Sequence, residues 1–61
     1  MTFEELMKVV SYDQIVELNV CSETITGTSY ALNTYICDTT AQAEVVDVVA
    51  DNGVLKVWVR E

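Results

Sequence analysis

Val45-Val46-Asp47-Val48-Val49-Ala50-Asp51-Asn52-Gly53-Val54-Leu55-Lys56-Val57-Trp58-Val59-Arg60 is the stretch whose reading decides the fold. Asn52-Gly53 separates two runs rich in β-branched residues. A type I′ turn needs positive φ at both central positions, and Asn-Gly tolerates that, so the stretch is expected to form a β-hairpin. A two-residue loop fixes the register. Val48 should then face Val57, Asp47 should face Trp58, Val46 should face Val59 and Val45 should face Arg60.

Sorting the pairs by face separates a dry side from a mixed one. Val46, Val48, Ala50, Leu55, Val57 and Val59 share the first face, which is expected to be the core side. Val45, Asp47, Val49, Lys56, Trp58 and Arg60 share the second. Single exposed apolar residues are ordinary, and an aromatic on a solvent-facing sheet needs no function. Val45, Val49 and Trp58 together would make a patch, so these residues, flanked by Lys56 and Arg60, are the candidate protein-interaction surface.

Upstream, Thr2-Phe3-Glu4-Glu5 matches a capping box. Phe3, Leu6, Met7 and Val10 follow at helical spacing, so a helix is expected from about Phe3 to Val10, packed on the dry face of the hairpin. Glu4 and Glu5 in its first turn and Lys8 in its last suit the helix dipole. Ser11-Tyr12-Asp13-Gln14 reads as a turn. Ile15 to Cys21 reads as a strand with Val16, Leu18 and Val20 inward. Ser22-Glu23 can turn the chain, and Thr24 to Leu32 can return as a Thr-rich edge strand, with Gly27 marking a bulge or bend. Residues 33–43 are expected to be a strand running into a loop. The alternative is a helical turn burying Leu32, Tyr35 and Ile36, then a brief helical turn capped by Asp38 or Thr39. The expected fold is α+β: one N-terminal helix on an antiparallel sheet of three or four strands, ending in the hairpin, in a single domain.

Composition narrows the function classes. A chain of 61 residues has a marginal core unless a disulfide, a metal or oligomerisation helps it. Cys21 and Cys37 are the only cysteines and there is no histidine, so the ligand set for a zinc site is missing. A Cys21–Cys37 disulfide is possible in principle. With no signal peptide in the sequence, however, the cysteines are expected to be reduced, small apolar fillers in a cytoplasmic protein. Oligomerisation is the remaining aid. The formal charge of −7, with only three Lys and Arg residues, leaves no basic patch for nucleic acid or a membrane surface. No apolar run approaches the ~20 residues of a spanning helix.

Catalytic constellations are missing too. A nucleophilic cysteine wants a base such as histidine. The carboxylates are scattered, and Gly27 and Gly53 are the only glycines, so no phosphate-cradling loop exists. No catalytic, cofactor-binding or metal-binding residue is assigned, and the expectation is a non-enzyme with no cofactor.

The Met-Thr-x-Glu-Glu-Leu opening, the Ile-Val-x-Leu-x-Val strand and the terminal Val-Val-Asp-Val-x-x-Asp-Asn-Gly-Val-Leu-x-Val-x-Val hairpin resemble small uncharacterised α+β proteins of phages, prophages and mobile elements of Gram-positive bacteria. The resemblance spans roughly residues 1–20 and 44–59. It implies an α+β fold in a cytoplasmic setting and carries no catalytic residues. The functional expectation is a small acidic protein-interaction module that binds itself, or another protein, through the Val45, Val49 and Trp58 face or an unpaired sheet edge. The competing expectation is an acidic inhibitor occupying the basic site of a host nucleic-acid-binding or defence protein.

Overall fold

The helix at the start of the chain forms because Thr2 and Glu5 satisfy each other's backbone. In the computed structural model, which describes all 61 residues, α1 spans Phe3–Val9. The Thr2 hydroxyl accepts the Glu5 N–H at 3.2 Å, and the Glu5 carboxylate accepts the Thr2 N–H at 2.8 Å. The Thr2 N–H donating to it first, and the Thr2 hydroxyl beside it second, hold the Glu5 carboxyl below its ordinary value. A depressed folded-state pKa stabilises the fold above the unfolded pKa, and that contribution is lost as pH falls through the folded value. Glu5→Gln is therefore expected to flatten the acid side of the stability profile. Urea midpoints between neutral pH and about pH 3 should fall less in the variant than in the wild type.

Six further elements follow: β1 (Ile15–Val20), β2 (Glu23–Thr28), α2 (Ser29–Tyr35), α3 (Asp38–Ala41), β3 (Glu44–Asp51) and β4 (Val54–Arg60). The strands form one sheet in the order β2-β1-β4-β3. The fold is α+β with the N-terminal helix on the sheet, as its sequence implies, but the sheet is mixed. β1 pairs antiparallel with β2, and β3 with β4, yet β1 and β4 are parallel. The expectation of an antiparallel sheet fails at this central pair. α2 and α3 carry the chain from one edge of the sheet to the other, so β4 returns into the centre alongside β1. Parallel neighbours need such a long connection, commonly helical.

The core lies between the sheet and the helices. Val16, Leu18, Val20, Val57 and Val59 meet Phe3, Met7, Leu32 and Ala43 there. β1 has Val16, Leu18 and Val20 inward, as expected, but it ends at Val20: Cys21, expected in the strand, forms the turn with Ser22, and Glu23, expected in the turn, begins β2. The hairpin holds from its Asn52-Gly53 tip, where both residues have positive φ (51° and 79°), down to Asp47 opposite Trp58. Beyond that pair a β-bulge interrupts it: Val45 faces Val59 and Glu44 faces Arg60. An extra residue in one strand shifts all later side chains to the other face. Val45 therefore turns inward and packs against the core, while Val46, expected inside, is half exposed.

The middle of the chain departs further. Gly27 makes neither bulge nor bend, since β1 and β2 stay in register across it; it lies under the Leu32 side chain. The strand ends at Thr28, whose hydroxyl accepts the Ala31 N–H at 3.1 Å and caps α2. Residues 33–43 are thus the end of α2 and the one-turn α3, not a strand. Leu32 is buried and Ile36 half-buried, as the helical alternative required, but Tyr35 is exposed, and the N-cap of α3 is Cys37, which makes no side-chain capping bond. No helix is long and apolar enough to cross a membrane.

Candidate functional site

Two features remain after the core is accounted for: the helix-free face of the sheet with its β3 edge, and a groove holding both thiols.

On the helix-free face, cross-strand pairing sets Trp58 between Asn19 on β1 and Asp47 on β3, and Lys56 between Glu17 and Val49. Four of the five candidate residues, Val49, Lys56, Trp58 and Arg60, are brought together there. Val45 is not, because the bulge moves it to the core side. Both cations are already engaged. The Lys56 ammonium is 3.4 Å from the Asp51 carboxylate and the Arg60 guanidinium 3.2 Å from that of Glu44. Exposed pairs of this kind contribute little stability, but they remove free positive charge from around Trp58. On the other flank, Asn19 donates to the Glu17 carboxylate at 3.3 Å and to the Val57 carbonyl at 3.4 Å, and accepts from Thr24 at 2.9 Å. Trp58 itself is only partly exposed.

The β3 edge is more open. Val46, Val48 and Val49 are 50%, 41% and 43% exposed. Its first residues are covered by the chain's own start: the Phe3 N–H donates to the Ala43 carbonyl at 3.0 Å, the Val45 N–H donates to the Met1 carbonyl at 2.8 Å, and Thr2 bridges Glu44. The Val48 N–H is taken by the Asp47 carboxylate at 2.9 Å. An unpaired strand edge is a template for another strand, and a bulge, an acidic side chain and a covering segment are the usual restraints on it. From Val46 to Asp51 the edge keeps apolar side chains. Alternation puts both Val46 and Val48 in the core; the bulge exposes Val46, and the position of β3 at the sheet edge, which alternation does not encode, exposes Val48.

The groove lies at the opposite edge, where the β1–β2 turn meets the α2–α3 junction. It has a volume of about 460 Å³ and is lined by Cys21, Cys37, Ile25, Ile36, Thr40 and Glu61 among others. Neither cysteine is the buried filler expected of it; both are free and exposed, because each falls on a connection rather than in a strand interior. The Thr40 hydroxyl donates to the Glu61 carboxylate at 2.7 Å and lies 3.4 Å from the Cys37 sulfur. The Thr40 hydroxyl first, and its backbone N–H second, lower the Cys37 thiol from its ordinary value. No cluster of three or more His, Cys, Asp or Glu side chains is placed to hold a metal ion. No family model, curated protein or solved structure matches the chain.

Proposed function

We propose that this protein is a small acidic, non-enzymatic protein-interaction module that self-associates through the open part of β3. The observation that carries the reading is the edge from Val46 to Asp51, where three valines stand exposed on a strand with no strand on its outer side. Addition of a strand to a sheet edge draws affinity from main-chain hydrogen bonds and selectivity from alternate side chains. A second copy supplies the same apolar pattern and extends one four-stranded sheet into another. A domain this small gains the most from such a partner, because its own core is limited.

Light scattering and sedimentation at rising protein concentration test this. The wild type is expected to exceed monomer mass, and Val48→Lys, a charge placed on the edge, is expected to be monomeric with unchanged circular dichroism. Trp58→Ala is expected to leave the mass as it is. A wild type that stays monomeric at high concentration sinks the reading. Loss of association in Trp58→Ala alone would move the contact from the edge to the helix-free face.

A second reading is favoured by charge. β3 carries Glu44, Asp47 and Asp51 and no base, in a chain of net charge −7. The same edge then fits a basic segment of another protein, as an inhibitor of a basic site would use. Salt separates the two. Two copies of charge −7 repel, so self-association strengthens as salt screens them, whereas a complex with a basic partner weakens.

A further inference from the structure

Cys21 occupies a position that suits glycine. It is the first residue of the two-residue β1–β2 turn and has φ 54°. A side chain in the left-handed region is strained, and strain held in place is a reason to look for a role at that residue. The side chain retained there is a thiol on the rim of the groove that also holds Cys37. The groove is within the size range of small-molecule sites, ~300–1,000 Å³. Most of its lining is apolar, and both thiols reach solvent.

We propose that Cys21 and Cys37 form a thiol-modification site for small-molecule disulfides, with Cys37 attacking and Cys21 resolving. The Cys37 thiolate attacks one sulfur of a disulfide RS–SR, forming a mixed disulfide and releasing RS⁻. The Cys21 thiolate then attacks the Cys37 sulfur, forming the Cys21–Cys37 bond and releasing the second RS⁻. Two protein thiols are oxidised by two electrons, the small disulfide is reduced to two thiols, and the two thiol protons pass to solvent or to RS⁻. The roles follow from surroundings. Cys37 has the Thr40 hydroxyl beside its sulfur, which stabilises a thiolate when it turns from Glu61, and a low-pKa thiol attacks sooner near neutral pH. Cys21 has no hydrogen-bonded partner for its sulfur and sits on a two-residue turn. The bond would tie the β1–β2 turn to the α2–α3 junction and close the groove.

The test is oxidised glutathione added to the full chain, followed by intact mass and free-thiol count. The wild type is expected to pass through a single glutathione adduct and end with both thiols lost, two hydrogens lighter and monomeric in covalent mass. Cys21→Ser is expected to stop at the adduct. Cys37→Ser is expected to form its adduct at least about threefold more slowly, in line with the dependence of exchange on thiolate fraction. Glu61→Gln, which removes the carboxylate competing for the Thr40 proton, is expected to speed the first step. Two stable adducts on one chain, a disulfide between chains, or reaction only in denaturant would each overturn the proposal. Circular dichroism of each variant separates these outcomes from unfolding.

Discussion

Phe3→Ala is expected to cost about 3–5 kcal/mol, the usual range for removing a buried phenylalanine. A chain of this length holds roughly 3–9 kcal/mol in all, so the loss takes at least about a third of the total and, at the lower end of that range, all of it. Phe3 is fully buried and is the first residue of α1. Its side chain fills the centre of the core, and its N–H donates to the Ala43 carbonyl just before β3. Losing the ring therefore loosens the helix, the sheet beneath it and the segment that covers the start of the β3 edge. Trp58 fluorescence during urea unfolding checks this, with Tyr35→Ala as control. Tyr35 is 81% exposed, and its truncation should stay within about 0.5 kcal/mol. A Phe3→Ala protein with the wild-type midpoint would place the core elsewhere.

What could be read in the sequence follows from the range of the interaction that determines it. The capping box at Thr2 and Glu5 spans three residues and the Asn52-Gly53 turn two, so both were legible. Alternation of Val16, Leu18 and Val20 is equally local. The parallel pairing of β1 with β4 depends on where α2 and α3 deliver the chain, which no local pattern states. α2 itself was masked by the preceding Thr24, Thr26 and Thr28, whose β propensity hides a start that only the Thr28 cap reveals. The bulge at Val46 was invisible because every residue from Val45 to Val49 except Asp47 is a valine, and a slip within valines leaves the pattern intact. That slip removed Val45 from the candidate surface. The thiol groove was not legible, since Cys21 and Cys37 come to line one groove only through the tertiary fold, although a non-glycine residue in the tight β1–β2 turn would have been a signal once that turn was placed.

Val57 and Val48 test the distinction that alternation misses. They are cross-strand partners on one face of the hairpin, and the sequence treats them as equivalent core residues. β4, however, is central and lies under the helices, whereas β3 is the edge. Val57 is fully buried and Val48 is 41% exposed. Val57→Ala removes two methyl groups from a packed site, at about 0.8 kcal/mol per group plus a cavity term, for a total of about 2–3 kcal/mol. Val48→Ala removes the same atoms from a half-hydrated site and should cost less than about 1 kcal/mol in the monomer. The comparison must be made at a concentration where the chain is monomeric. At higher concentration, any added loss for Val48→Ala would report association through β3, because a partner that binds only the folded state adds stability in proportion to the logarithm of its concentration. Equal costs in the dilute protein would mean that Val48 is covered within its own chain, and the open edge on which self-association rests would not exist.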